Sequence, residues 1–181
     1  MRPGETPPIA VDGDPRVVLR PSASAQDVEF LRTWKNAHRT SFFDQSEITR
    51  AQQAIWFKDL CRRDDDFMYM VDVDGQTVGC MGFRRIGQVV DFYNIIRGVP
   101  PLGGPWVMSR ALQALLRAAF HEFALPVTGK VLRSNPALAW YAANDCLVVG
   151  TEDTHYVLEW MPAHGASGAH EPEASGERSA R

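Results

Sequence analysis

Cysteine is scarce in this sequence. Its 181 residues hold three, Cys61, Cys80 and Cys146, odd in number and far apart. That spacing excludes a disulfide framework and fits no zinc-ligand pattern. Each reads instead as a small core residue in a reducing compartment. An excess of positive charge is missing too. The net charge is −3 with 23% charged residues, and the arginine pairs at 62–63 and 84–85 have no basic field around them, which argues against nucleic acid as a partner. No apolar run approaches the roughly 18 residues of a membrane span. The opening stretch "MRPGETPPIAVDGDP" lacks the apolar centre of a secretory leader. Neither "RRDDDF" nor "DVDG" has the length or terminal glutamate of a calcium loop. The expectation is a cytoplasmic protein with no metal and no membrane partner.

What is present suits one folded domain. Hydrophobic residues make up 45% of the chain, enough for a substantial core at this length. Residues 1–14 are rich in Pro, Gly and Asp, and 163–181 hold almost no large apolar residue. Both are expected to be disordered tails flanking a domain at 15–162, because neither can offset its ordering entropy.

Between the tails, helical and strand periodicities alternate. "RVVLRPS" reads as a strand. Ser24 with Asp27 is a capping signal for a helix carrying Val28, Leu31, Trp34 and His38 on one face, and Thr49 with Gln52 repeats it for a second helix. "FMYMVDVDGQTVGCMGFRRIG" reads as two strands joined at Asp74-Gly75, and "VVDFYNII" as a fourth strand. A Gly/Pro turn then opens a helix with Met108, Leu112, Leu115, Leu116, Ala119 and Phe123 inward. "VTGKVL" is a short buried strand, Asn135 caps a short helix with Pro136 at its first position, and "LVVGTEDTHYVLEW" closes the fold with one or two strands. The order predicts an α/β domain with a mixed sheet.

The turn before the third helix raises the functional question. A helix N-terminus offers unpaired N–H groups and a positive dipole end, which suit a phosphate. Gly103 and Gly104 allow the chain to bend close to such a group, although Pro105 has no N–H to give. A turn that serves packing alone is the other reading.

This order of elements, with "DFYNIIRGVPPLGGPWVM" and "RSNPALAWYAANDC", resembles the GNAT superfamily of N-acetyltransferases over roughly residues 16 to 160. The resemblance implies a mostly antiparallel sheet, splayed in a V between the fourth and fifth strands, with helices on both faces. It implies acetyl-CoA as co-substrate, its arm lying in the slot between those strands. Main-chain groups of Ile95 and Ile96 would meet the acyl arm. The turn and first helical residues, Gly103, Gly104, Trp106, Val107, Met108 and Ser109, would hold the pyrophosphate. The family loop has glycines where Trp106 and Met108 fall, so the cradle is a modified one. In the second motif Tyr141 matches the family tyrosine and Ala137 its alanine. Asn135 is one residue out of register, and Asp145-Cys146 replaces the usual Gly-Phe.

Acetyl transfer from a thioester to an amine needs a polarised carbonyl, a neutral amine and a proton for the departing thiolate. The resemblance makes Tyr141 the acid, a phenol suited to a thiolate; packing as a core aromatic is its other reading. Asp91 is the only carboxylate on the fourth strand and, by alternation, shares a face with Ile95. It is the candidate base, or else a solvated strand-end carboxylate. Asn135 is either a coenzyme contact or a plain helix cap. Cys80 has no placed histidine beside it to make a nucleophile.

The acceptor side is expected at the loop "WKNAHRTSFF" and the fourth strand, with Asn36, Arg39, Phe42 and Asn94 as substrate contacts. Arg39 offers a planar fork for phosphate or carboxylate. Its pattern with Trp56-Phe57 is similar to the amino-sugar branch of the superfamily. The expected activity is acetylation of a primary amine on a small molecule by direct transfer, and a homodimer is left open. The competing expectation is a catalytically silent GNAT-like domain that binds acyl-CoA or another ligand as a regulatory or interaction module.

Overall fold

The computed structural model describes residues 6–99 and 104–162. In chain order it contains β1 (Ile9–Ala10), β2 (Val17–Pro21), α1 (Ala25–Ala37), a 3-10 turn (Arg39–Ser41), α2 (Arg50–Leu60), β3 (Asp66–Val73), β4 (Gln76–Ile86) and β5 (Val89–Arg97). Then come α3 (Val107–Phe123), β6 (Val127–Leu132), α4 (Leu138–Ala142), β7 (Cys146–Thr151) and β8 (His155–Trp160). The fourth strand of the sequence reading is β5.

Local chemistry accounts for most of these boundaries. Asp27 N–H donates to Ser24 Oγ at 3.1 Å while Ser24 N–H donates back to the Asp27 carboxylate at 2.9 Å, which closes the α1 capping box. Thr49 and Gln52 do the same for α2. Asp74 and Gly75 both take positive φ, as a tight turn between twisted strands requires. The apolar stripe of α3 is buried at Met108, Leu112, Leu115, Leu116 and Ala119. It packs on one face of the sheet, against Val17, Leu19, Phe83 and Phe92. A second, smaller cluster of Leu31, Trp34, Leu60, Met68, Met70, Cys80 and Ile96 lies under α1 and α2 on the other face.

The sheet order is β1-β2-β3-β4-β5-β6-β8-β7. Every pairing is antiparallel except β5 with β6, which meet in parallel only at Val90–Val127 and Asp91–Thr128. Past that join β5 stays with β4, and β6 stays with β8 as far as Leu132–His155. The two strands therefore part, and a V-shaped slot opens between them, as the sequence led us to expect. At its vertex the Phe92 ring lies over Gly129, where a Cβ would come within 2.3 Å of ring atoms.

Three expectations need correction. Residues 9–14 are part of the fold: Ile9 and Ala10 pair with Leu19 and Val18, Val11 is only 4% exposed, and Asp14 pairs with Arg16 at 2.9 Å. Two apolar residues in a Pro/Gly/Asp-rich stretch are enough to extend the sheet edge beside α3. His38 is exposed and caps the C-terminus of α1 rather than joining its buried face. Pro136 precedes α4, which begins at Leu138, because Asn135 Oδ1 accepts from Ala137 N–H in a turn of its own. The tail expected at 163–181 lies outside the described residues. Among those described, no helix is long and apolar enough to cross a membrane.

Candidate active site

A bulge shapes the slot side of β5. Gly82 pairs with Tyr93 and Cys80 with Ile96, so Asn94 and Ile95 together stand opposite Met81 alone. Asn94 absorbs the irregularity at φ 50°, a left-handed conformation asparagine tolerates. The extra residue inverts the alternation. Val90, Phe92 and Ile95 pack toward α3, whereas Tyr93 and Ile96 pack toward α1 and α2. Asp91 and Ile95 therefore do not share a face. They are also separated by four residues, roughly 13 Å of strand, and the Asp91 carboxylate is paired with Arg84. The Asn94 carbonyl accepts from Cys80 Sγ at 3.5 Å, and its side-chain amide has no partner among the described residues. Burial pushes the Cys80 thiol up to about 12, which removes it as a nucleophile.

At the α3 end, Gly103 lies outside the described residues. Gly104 sits at φ 99°, where any side chain would be strained, and a Cβ would come 3.3 Å from Trp106 Nε1. Trp106 is 63% exposed and starts the helix without a side-chain cap, and the first turn holds no acidic residue. Arg110 N–H is the first to find a helical carbonyl, that of Trp106 at 2.9 Å. The N–H groups of Val107, Met108 and Ser109 face no protein acceptor among the described residues. Val107 and Met108 are buried, and the Met108 thioether lies over Gly79 of β4. Methionine at 108 thus leaves the main chain of the turn uncovered. Ser109 Oγ accepts from Trp140 Nε1 at 3.0 Å and fixes α4 beside α3.

Tyr141, on α4, stands over the vertex with its ring centroid 5.8 Å from that of Phe92 and 5.1 Å from that of Trp140. Its hydroxyl has no protein partner among the described residues. Burial, with Cys146 nearby, holds the phenol above its ordinary value of 10. It is a protonated donor. Asn135, by contrast, uses both ends of its amide: Oδ1 for Ala137 N–H at 2.9 Å, and Nδ2 toward the Ser41 carbonyl at 3.3 Å. It anchors the α1–α2 loop at Ser41 and caps the turn before α4, and its second Nδ2 N–H has no partner among the described residues.

Asn36 is committed in the same way. Its Nδ2 donates to the Ile48 carbonyl and its Oδ1 accepts from Ile48 N–H, both at 2.9 Å. It closes the loop, and its second Nδ2 N–H has no partner among the described residues. Arg39 is exposed with no ion pair among the described residues. Phe42 is half-buried against the Leu31–Trp34 cluster, and Phe43 stands edge-on to His155 of β8 at 5.2 Å. The loop thus runs from α1 to the β6–β8 side of the slot.

Sequence reasoning missed a polar group on this face. Arg84 Nε and Nη2 donate to Asp91 Oδ2 at 3.1 and 3.0 Å, and its guanidinium lies 4.6 Å from the Tyr93 ring centroid. Burial raises the Asp91 pKa and Arg84 offsets this only in part. Tyr93 donates its hydroxyl proton to buried Asp66, which also pairs with Arg63 at 3.0 Å. Arg84 and Asp91 stand opposite each other in the β4–β5 register, so a registered hairpin alignment could have found them. Lys35, whose Nζ lies 5.2 Å from the Phe42 ring centroid, left no such signal. Among the described residues no group of three or more His, Cys, Asp or Glu could hold a metal ion.

The parting of β5 from β6, the start of α3 and the Tyr141 ring are brought together by the Phe92–Tyr141 and Ser109–Trp140 contacts. Residues 16–140 match the model of the acetyltransferase (GNAT) domain, more than half the chain, and the protein belongs to the GNAT family of N-acetyltransferases. Comparison with curated proteins finds no match. Among solved structures, FdhC, a nucleotide-linked sugar GNAT, superposes with a TM-score of 0.67 at 12% identity over 80% of this chain and 86% of its own. The N-acetyltransferase PseH of Campylobacter jejuni gives 0.62 at 19% identity over 82% and 100%. Spermidine N-acetyltransferase of Vibrio cholerae, solved with CoA and spermine, gives 0.64 at 16% over 80% and 93%. At these identities the likeness is one of fold.

Proposed function

We propose that this acetyltransferase moves the acetyl group of acetyl-CoA to a primary amine of a small molecule by direct transfer. The observation that carries the reading is the β5–β6 slot with the unpartnered Tyr141 hydroxyl over its vertex. The binding elements fit the coenzyme: Gly104 at positive φ, and the N–H groups of Val107 to Ser109 without a protein acceptor among the described residues and suited to a pyrophosphate. Acetyl-CoA, when bound, supplies the activated thioester. The protein supplies the rest. A main-chain N–H at Ile95 or Ile96 polarises the acyl carbonyl. Tyr141 holds its proton on the hydroxyl oxygen for the departing sulfur. Asn94, with a free amide at the bulge, and Phe42 and Arg39 on the loop orient the acceptor. Asp91 acts on the ammonium proton only through water, given its distance along β5. PseH has been solved with acetyl coenzyme A, and the sugar and polyamine neighbours act on small molecules, which supports the same class of acceptor here.

The test is thiol release from acetyl-CoA with a panel of amino sugars, amino acids and polyamines, with the product identified by mass. Acetylated amine with stoichiometric thiol is expected. Coenzyme binding without turnover on any amine would support instead a silent binding module, the reading that Trp106, Met108 and Asp145-Cys146 favour.

A further inference from the structure

We infer that Lys35 reads an anionic group, phosphate or carboxylate, carried by the acceptor amine. This rests on the acetyltransferase reading above and names its substrate class. Lys35 lies in the last turn of α1, half-buried, with Nζ 5.2 Å from the Phe42 ring centroid. It has no hydrogen bond or ion pair among the described residues. The charged side chains that act on it are Asp44 and Arg84. Phe42 packs on the cluster that holds Cys80 and Ile96, and α1 lies against β5, so the Lys35 end of α1 is on the face of the sheet where the Cys80 thiol binds the Asn94 carbonyl at the β5 bulge.

The surrounding carboxylates are already engaged. Asp91 accepts twice from Arg84, Asp66 serves Tyr93 and Arg63, and Asp44 Oδ1 accepts from Ser46 N–H. Burial lowers the Lys35 pKa because no partner within hydrogen-bond reach compensates its charge. An ammonium held part-way out of water beside an aromatic ring is costly alone and favourable once an anion meets it. Arg84 Nη1 has no partner among the described residues and lies on the same face, so a second cation supports the same preference. Such a surface disfavours a polycationic amine. Asp44, exposed on the loop, offsets the burial of Lys35 only in part.

The experiment compares wild type, K35M and K35R. In one arm, inorganic pyrophosphate is titrated into each protein with coenzyme A in excess to fill the α3 turn, and binding is followed by melting temperature. Wild type and K35R should bind within about threefold of each other, and K35M about tenfold or more weakly. In the other arm, matched acceptors that differ only in the anion are compared by thiol release: glucosamine against glucosamine 6-phosphate, and glycinamide against glycine. The anionic member of one pair should be preferred by wild type and K35R, which tells phosphate from carboxylate, and K35M should lose the preference through acceptor KM with coenzyme KM unchanged. Equal pyrophosphate binding by wild type and K35M, no binding by wild type, or preference for the neutral members overturns the inference. Lys35-dependent pyrophosphate binding without turnover of any amine leaves it standing and overturns the acetyltransferase reading instead.

Discussion

The Phe92 ring on β5 occupies the space that a side chain at position 129 of β6 would need, with a Cβ there only 2.3 Å from the ring. Phe92 is buried, and its other neighbour is the Tyr141 ring. The vertex of the slot and the proposed acid are thus set by one contact. Gly129→Ala should force the ring aside, lowering unfolding free energy by about 1–3 kcal/mol and reducing turnover through the displaced Tyr141. Chemical denaturation and steady-state kinetics on the same preparation check this. Unchanged stability would mean that the ring moves freely.

Tyr141→Phe removes a hydroxyl with no protein partner among the described residues while keeping its ring packing on Phe92 and Trp140. Stability should change little. Turnover should fall by about 10²–10⁴-fold, as for loss of a general acid, with coenzyme affinity nearly intact. Unchanged turnover would reassign the residue to packing.

Asn36→Ala breaks two hydrogen bonds that tie Ile48 to α1 and leaves the one from Arg32 Nη1 to the Ile48 carbonyl at 3.3 Å. Asn36 orders the loop proposed to meet the acceptor, so acceptor KM should rise severalfold with coenzyme KM unchanged. Arg39→Ala on an anionic acceptor should move the same constant. Equal effects of Asn36→Ala on both substrates would show that the loop does not separate the two sites.

Acid stability should depend on Asp27. Burial opposes its charge, but Arg20 and the N–H groups of Ala23 and Ser24 outweigh it and hold the pKa at about 2. That lies below the ordinary 3.8, so the contribution is complete above about pH 4 and is lost as pH falls through 2. It amounts to about 2 kcal/mol. Asp27→Asn should flatten the stability profile between pH 5 and 2, measured by urea unfolding at a series of pH values. An unaltered profile would place the acid sensitivity elsewhere.

The elements that could be read from sequence are those fixed by neighbours in the chain. The Ser24–Asp27 and Thr49–Gln52 boxes, the Asp74–Gly75 turn and the α3 stripe each act within a few residues. Features set by distant pairing were hidden. The Asn94 bulge exists only in register with Cys80 and Gly82, and it moves Ile95 to the other face from Asp91. The amide of Asn135 is claimed by Ser41, 94 residues earlier, and that of Asn36 by Ile48. Ile9 and Val11 enter the fold only because β2 offers an edge. Of the site, Tyr141 and the α3 turn were legible through family motifs. Lys35, Arg84 and Tyr93 were not, since their grouping depends on α1 lying over β4 and β5.

The most direct test of the central claim is the melting temperature of the protein with increasing acetyl-CoA. The slot and the α3 turn predict a concentration-dependent rise, equivalent to about 2.7 kcal/mol of added stability at a hundred times the dissociation constant. No shift at millimolar acetyl-CoA would contradict it.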